Sequence, residues 1–590
     1  MTGCTAGAGG RRSVVITGCS SGIGRATALR LARAGHRVFA GVRREADADA
    51  LRGEGVPGLE PVLLDVTDAA QVGAAAKTVE AALEGNGLDG LVNNAGITTG
   101  GPLEHVDPGL VRRVLEVNAV GALAVTQAFL PLLRRARGRV VLLSSIGGRV
   151  ALPVVWPYNA SKFALEALGD ALRGELAPFG VEVALVEPGA IQTAIFDKGR
   201  ALADEILAAM PDEGRRRYEP MLQAVIEGFT RMEAGAGPPE KVSRAIERAL
   251  LDRRPRTRTL VGADARGQAV LAALLPDRAR DALLARFLGL PRRGAWAEMP
   301  QTRRSGGGSP PGAVVVTGAS TGIGRATALH LARAGHRVFA GVRREADAAS
   351  LRGEGLAGLE PLFLDVTNPE QVVAAARRVE EATGAAGLAG LVNNAGIGVG
   401  GPLEFLPPEE LRRIFEVNVH GVVSATQAFL PGIRRAGGRV VIVGSSSGRL
   451  AAPFAGPYAA SKFAVEALAD GLRMELAPWD LHVALLEPGA VDTAIWEKTQ
   501  GYADALETRL PEEARALYGE AIAGVRRRLR QSEGSAASPE GCARAVAHAL
   551  TARRPRTRYP VGLDARVQIA LAGLLPDRLR DRLIARLLAG

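Results

Sequence analysis

A chain of 590 residues, 47% hydrophobic and 23% charged, is globular in composition and too long for a single core. Its formal charge of +11 is spread along the chain and only 4% of residues are aromatic, which argues against a nucleic-acid surface built on base stacking. Three cysteines, Cys4, Cys19 and Cys542, cannot frame a disulfide scaffold and point to a reducing, cytoplasmic setting. Residues 1–13 hold no apolar leader core and no run of eighteen apolar residues occurs, so neither a leader nor a membrane span is expected.

In chain order, a tail (1–12) precedes a segment, 13–290, that recurs as 313–590 at an offset of 300. Leu31 to Asp47 returns unchanged as Leu331 to Asp347. So long a period marks a duplicated domain, not a solenoid. The stretch between them, 291–312, carries Gly306-Gly307-Gly308 and Pro310-Pro311 and reads as a flexible linker. As a coil it spans roughly 25 Å.

Within the first half, apolar runs at 14–17, 38–41, 61–64, 90–93, 139–144 and 181–187 read as buried parallel strands. Amphipathic helices are predicted near 22–34, 68–84, 108–136, 158–178 and 239–252. This rhythm gives an α/β fold: two Rossmann-type doubly wound parallel-sheet domains in tandem. The first strand leads into Thr17-Gly18-Cys19-Ser20-Ser21-Gly22-Ile23-Gly24, repeated as Thr317-Gly318-Ala319-Ser320-Thr321-Gly322-Ile323-Gly324. Glycines between a strand and a helix N-terminus let backbone N–H groups approach a pyrophosphate.

The second strand ends Val42-Arg43-Arg44, and its repeat ends Val342-Arg343-Arg344. An acid at this point suits a free ribose 2′-hydroxyl, whereas an arginine suits a 2′-phosphate. No acid precedes Glu45, so NADP(H) is favoured over NAD(H), one per half. Further on, Tyr158 and Lys162, like Tyr458 and Lys462, are four residues apart and share one helix face. A phenol titrates near pH ~10 unaided, and a cation beside it favours its ionised form. That spacing predicts an acid–base pair working near neutrality. The seven histidines show no ligand spacing, and no metal site is predicted.

These motifs resemble those of the short-chain dehydrogenase/reductase family, over nearly the whole of both halves. The likeness is greatest to its hydroxysteroid- and retinol-dehydrogenase-like members. The resemblance implies a catalytic set of Asn118, Ser145, Tyr158 and Lys162, and again Asn418, Ser445, Tyr458 and Lys462. It implies cofactor contacts from Gly18, Ser20, Ser21, Gly22, Ile23, Gly24, Arg43, Asp65, Val66, Asn93, Ala95, Gly96, Pro188, Gly189 and Thr193. In the second half these are Gly318, Ser320, Thr321, Gly322, Ile323, Gly324, Arg343, Asp365, Val366, Asn393, Ala395, Gly396, Pro488, Gly489 and Thr493.

By the same resemblance the tyrosine exchanges a proton with a carbonyl oxygen that the serine also binds. The lysine lowers the tyrosine pKa and holds the nicotinamide ribose, and Asn118 holds a water that refills the lysine. The implied activity is NADP(H)-dependent reduction of a hydrophobic ketone or aldehyde, or oxidation of a secondary alcohol, steroid- or retinoid-like. Reduction of a 3-oxoacyl thioester and a non-catalytic NADP(H)-binding module are the alternatives. The halves are expected to pair as an intramolecular pseudo-dimer. The tails near 270–290 and 567–588, rich in Leu, Ala and Arg, fit either a lid or a peripheral membrane contact. Trp156 against Gly456, Val154 against Phe454, Phe196 against Trp496 and Thr98-Thr99 against Gly398-Val399 differ where substrate is expected. They suggest two substrate preferences.

Overall fold

A computed structural model describes residues 10–296, 312–492, 508, 510–532 and 537–589. The first half is built on seven parallel strands: β1 (Ser13–Ile16), β2 (Arg37–Val42), β3 (Leu59–Leu63), β4 (Gly90–Asn93), β5 (Arg139–Leu143), β6 (Glu182–Pro188) and β7 (Arg258–Val261). They lie in the order β3-β2-β1-β4-β5-β6-β7. The order reverses beside β1, where Val14 pairs with Val38 on one side and Gly90 on the other. This switch point opens a crevice at the carboxyl ends of β1 and β4, the place where such sheets bind ligands. All four residues of β1 and of β4 are buried, as strands covered on both faces must be.

Eleven helices are described in this half: α1 (Gly22–Arg33), α2 (Glu45–Arg52), α3 (Ala69–Ala82), α4 (Pro108–Leu115), α5 (Gly121–Ala136), α6 (Trp156–Leu176), α7 (Ile195–Ala209), α8 (Asp212–Ala234), α9 (Pro239–Leu251), α10 (Ala263–Leu274) and α11 (Asp277–Leu288). α1, α2 and α9 supply a core on one face of the sheet, with Leu31, Leu51 and Ile246 fully or almost fully buried. α3 to α6 cover the other face. Asp68 starts α3 by accepting from the backbone N–H of Ala70 and Gln71, the usual remedy for unpaired donors at a helix start. α4 runs through a π-helical turn, Glu116–Val120, into α5. The combined helix, Pro108–Ala136, is long and apolar enough to cross a membrane, yet 67% of its most apolar window is buried in the fold.

The second half repeats the sheet with Ala313–Val316, Arg337–Val342, Leu359–Phe363, Gly390–Asn393, Arg439–Val443, His482–Pro488 and Arg558–Val561, in the same order. Both halves thus form the predicted Rossmann-type domains. β7, α2, α7 and α8 were not anticipated. The basic tails fold as α10 and α11 and as Leu563–Leu574 and Asp577–Ala589. The start of the expected linker is docked, not free: Trp296 N donates to Pro478 O at 3.1 Å, and the Trp296 and Trp479 rings lie 4.7 Å apart.

The halves meet along α6 and its counterpart Gly456–Leu476, which run antiparallel. A Cβ at Gly471 would come within 2.6 Å of Trp156 Cβ, and one at Gly456 within 3.0 Å of Ala171 Cβ. Trp156 is fully buried in this contact. It therefore fills the interface, and the expectation that Trp156 distinguishes substrates is corrected. One apolar cluster runs through both halves, from Leu91 and Leu165 to Leu391 and Val465. Forked ion pairs close its edges: Arg112 on Glu416 at 2.7 and 3.1 Å, and Arg412 on Glu116 at 2.9 and 2.6 Å.

The C-terminal helices cross over as well. Asp581 accepts from Arg173 at 2.6 and 3.0 Å, and Asp170 accepts from Arg580 at 2.9 Å. Reciprocally, Arg280 pairs with Asp470 at 2.6 Å and Arg558 with Asp277 at 2.9 Å.

Candidate active site

The turn after β1 is shaped by glycine. Gly18 and Gly22 have φ of +71° and +57°, and their repeats Gly318 and Gly322 have +64° and +57°, a region L side chains avoid. A Cβ on Gly24 would lie 2.3 Å from Gly18 O. Ser20 and Ser21 are exposed, and Ser21 precedes α1 without a side-chain cap bond. The first N–H groups of α1 are thus presented to the crevice, a cradle suited to a pyrophosphate.

Thr17, which opens the glycine turn, and Asn94, in the run Asn93 to Gly96 that the resemblance implies steadies the sheet beside the cofactor, hold the cradle in place. Thr17 Oγ1 accepts from the N–H of Asn94 and Ala95 at 3.0 and 2.9 Å. Asn94 Nδ2 donates to Thr17 O and Gly18 O at 2.8 and 3.1 Å. Asn394 and Thr317 repeat all four bonds. Asn93, by contrast, turns into the core and donates to Thr126 Oγ1 at 2.8 Å, as Asn393 does to Thr426 at 2.9 Å. Their side chains brace β4 against α5 and its counterpart and do not face the crevice.

At the adenine end, Asp65 accepts from Thr67 N and Oγ1 at 2.9 and 2.8 Å, and Asp365 does likewise. Val66 is buried. Arg43 is exposed at the tip of β2, while Arg44 is forked onto Asp47. Arg343, 68% exposed, lies 3.8 Å from Asp365.

At the nicotinamide end, β6 terminates in Pro188, and Gly189 follows it. Asp264, in the first turn of α10, accepts from Ala190 N at 2.7 Å, so that a Cβ on Gly189 would strike its carboxylate. Asp564 does the same for Ala490 at 2.6 Å. Both aspartates follow a glycine with positive φ, Gly262 or Gly562. Their recurrence at the same offset was the signal available in the sequence. Thr193 lies over Gly22, 3.3 Å from the position of a Cβ there. Thr493 and Trp496 lie outside the described residues.

Tyr158 and Lys162 project from the first turns of α6, and Ser145 lies two residues beyond β5, where its side chain accepts from Gly147 N at the start of a short 3-10 turn. Burial pushes the Tyr158 phenol up, and its hydrogen bond with Ser145 offsets this only in part; Tyr458 and Ser445 behave alike. Burial pulls Lys162 and Lys462 down to about 8, with Glu166 and Glu466 opposing. Each ammonium lies 5.8 or 5.7 Å from its tyrosine ring centre. It donates instead to a strand carbonyl, Leu143 O at 2.8 Å or Val443 O at 2.9 Å. The four-residue spacing thus sets the face, with the ammonium over the ring and bonded to the strand carbonyl.

Asn118 sits in the π-helical turn and is 1% exposed. Its side chain bonds Ile97 N and O at 2.9 Å each and Ser161 Oγ at 2.9 Å, and Asn418 repeats this. The asparagine therefore ties the loop after β4 to α6, one turn from Tyr158.

In the second half a single cavity of about 970 Å³ gathers these parts. Gly318, Ser320, Thr321, Gly322, Ile323, Arg343, Asp365, Val366, Ala395, Gly396, Ser445, Tyr458, Lys462, Pro488 and Gly489 line it; Gly324, Asn393 and Asn418 stand behind. Its other lining residues include Val399, Phe454, Leu510, Ile522 and Val525, an apolar share of the same space.

The sequence profile of the short chain dehydrogenase family matches residues 12–202 and 312–502. The chain belongs to this family. Retinol dehydrogenase 5 of Mus musculus is 39% identical over 284 residues, 47% of this chain and 89% of its own. Retinol dehydrogenase 16 of Homo sapiens is 40% identical over 276 residues, 46% of this chain and 87% of its own. Each relative therefore aligns with about one half's length of this member of the family. The solved N-domain of a bacterial malonyl-CoA reductase, with NADP, is similar in fold, with a TM-score of 0.60 and 19% identity. That likeness covers 81% of this chain and 91% of the other, more than one half can supply.

Proposed function

We propose that each half is an NADP(H)-dependent oxidoreductase acting on a hydrophobic ketone, aldehyde or secondary alcohol of steroid or retinoid type. The observation that carries this reading is the cavity of the second half, where the glycine cradle, Ser445, Tyr458 and Lys462 open onto one space with an apolar wall. The retinol dehydrogenases among its relatives support the substrate class.

Bound in the crevice, the cofactor would supply or accept the hydride. Its pyrophosphate would rest on Gly18 to Gly24, or Gly318 to Gly324, and a 2′-phosphate on Arg43 or Arg343. Tyr158 and Ser145, and equally Tyr458 and Ser445, place two hydroxyl donors where a carbonyl oxygen becomes an alkoxide. Burial keeps both phenols protonated at neutral pH, the form that stabilises such a charge and hands it a proton. Lys162 and Lys462, charged below about pH 8, keep the site positive. The Asn118 and Asn418 side chains hold the neighbouring loop.

The crossed C-terminal helices and the shared core support an intramolecular pseudo-dimer. A peripheral membrane contact is favoured by Leu274 and Leu574, 75% and 81% exposed, and by Leu563 at 78%, on the arginine-bearing C-terminal helices.

The test follows NADPH oxidation against steroid, retinoid and aliphatic carbonyls in the wild type, Tyr158→Phe and Tyr458→Phe. Each variant is expected to lose one site's share of turnover. Unchanged turnover in both would overturn the assignment.

A further inference from the structure

The loops that wall each site are held by side chains of the other half. Glu475, near the C-terminus of Gly456–Leu476, is 1% exposed. It accepts from Leu103 N at 2.8 Å on one oxygen and from Val154 N at 2.7 Å on the other. These two segments of the first half are also joined directly, since Gly101 N donates to Val154 O at 2.7 Å. Val154 has φ of +68°, a conformation a β-branched residue keeps only where its surroundings impose it. Gln427 Nε2 donates to Leu103 O and Val106 O, both at 2.8 Å. Arg434 pairs with Glu104, which also accepts from the Tyr218 hydroxyl at 2.7 Å and so ties in α8.

The second half is held in the same way. Glu175 accepts from Leu403 N at 2.7 Å and Phe454 N at 2.8 Å, and Phe454 has φ of +65°. Gln127 Nε2 donates to Leu403 O and Leu406 O at 2.6 and 2.8 Å. Arg134 pairs with Glu404, which accepts from Tyr518 at 2.8 Å. Gly401, Pro402 and Phe454, which this clamp holds, line the cavity that contains Tyr458.

Burial pushes both glutamates up to about 8, and a polar acid this deep is costly, so packing alone would be served better by an apolar side chain. Both hydrogen bonds of each glutamate cross between the halves; one of them, at Val154 N or Phe454 N, meets the chain just before the helix that carries the other site's tyrosine, and the other, at Leu103 N or Leu403 N, meets the loop joined to it. We propose that Glu475, with Gln427 and Arg434, positions the substrate wall of the first half's site, and that Glu175, with Gln127 and Arg134, positions that of the second. Each site is completed by the half that does not contain its tyrosine and lysine. The kinetic side of this inference rests on the reading that Tyr158 and Tyr458 mark two active sites; the structural side does not. α6 carries Tyr158 at one end and Glu175 at the other, about 25 Å apart along the helix, so one rigid element serves both sites.

The experiment uses the full chain with Glu475→Gln and Glu175→Gln, each of which turns an NH2 group toward one of the two donors. Backbone hydrogen exchange is read at Leu103 and Val154, and at Leu403 and Phe454. Glu475→Gln is expected to speed exchange about tenfold or more at the first pair and leave the second pair unmoved, with the reverse for Glu175→Gln. Turnover is then read in Tyr458→Phe and Tyr158→Phe backgrounds, which isolate the first and second sites. Glu475→Gln is expected to lower kcat/KM roughly tenfold to hundredfold at the first site, the scale of an ångström's misplacement. A loss falling on the second site, or equally on both, would overturn the proposal, as would unchanged exchange at Leu103 and Val154. If the tyrosine variants do not divide the turnover, the two-site reading fails while the exchange result still decides the clamp. Should Glu475→Gln not fold, Gln427→Ala read by exchange across 103–106 decides it, and unchanged exchange there overturns it.

Discussion

Replacing Gly24 by alanine tests whether the turn after β1 is a cofactor cradle. The new Cβ would lie 2.3 Å from Gly18 O and 2.4 Å from Asn94 Nδ2, against 3.4 Å for ordinary contact. Neither neighbour is a flexible side-chain end: one is backbone, and the other is the amide that bonds Thr17 O and Gly18 O. About 1 Å of movement is therefore forced on the turn itself. Overpacking of this kind costs about 1–3 kcal/mol. Carried by the bound state, that weakens cofactor affinity about 5- to 150-fold. The assay is a titration of the full chain followed by NADPH fluorescence. The wild type is expected to bind two equivalents; Gly24→Ala should keep one tight site and weaken the other, and Gly324→Ala, where the same contacts are both 2.3 Å, should do the converse. Gly73→Ala, with nothing within 4 Å of its Cβ, is the control that leaves both sites intact. Two equivalents at unchanged affinity in Gly24→Ala would refute the cradle.

Arg43→Ser with Arg343→Ser should weaken NADPH binding about tenfold or more while sparing NADH; equal losses for both cofactors in the titration would contradict the 2′-phosphate assignment. Burial sets Lys162 and Lys462 to about 8, so their charge is complete below that pH and lost above it. A pH profile of kcat/KM for carbonyl reduction should be level on the acid side and fall above about pH 8, and a plateau to pH ~10 would contradict it. Burial raises Asp170, but Arg258, Arg173 and Arg580 together hold it well below the carboxylate range, and Arg558, Arg473 and Arg280 do the same for Asp470. Groups with depressed folded pKa values stabilise fully above the unfolded value of about 3.9 and lose that contribution as the pH falls below it. Urea midpoints should therefore drop on acidification below about pH 4. Asp170→Asn, which leaves three arginines facing no carboxylate at that position, should cost about 3–5 kcal/mol at neutral pH, and an unchanged midpoint would count against the network.

Six strands of the first sheet were legible as apolar runs: five of them, such as β1 with Val14, Val15 and Ile16, are largely buried on both faces, and the edge strand β3 was caught only by its last residues, Pro61 to Leu63. β7 was not, since Arg258-Thr259-Leu260-Val261 is a half-buried edge strand that begins with an ion-paired arginine. The glycine turn, Tyr158 and Lys162 were readable from spacing, because spacing along a helix fixes a face. What spacing does not fix is which neighbour that face meets. Trp156 therefore read as a substrate contact when it packs on Gly471, and the bond of Lys162 to Leu143 O, beside its place over the Tyr158 ring, was out of reach. Asn94, Asp264 and Glu475 act through backbone groups brought close only by folding, 77, 74 and 321–372 residues away in sequence.

The central claim is that both halves work. Counting active sites by the pre-steady-state burst of NADPH oxidation with a saturating hydrophobic ketone tests it most directly. Two equivalents are expected for the wild-type chain, one each for Tyr158→Phe and Tyr458→Phe, and none for the double variant. A burst of one equivalent that survives one of the single variants intact would show that the half carrying that substitution does no chemistry, and would contradict the account.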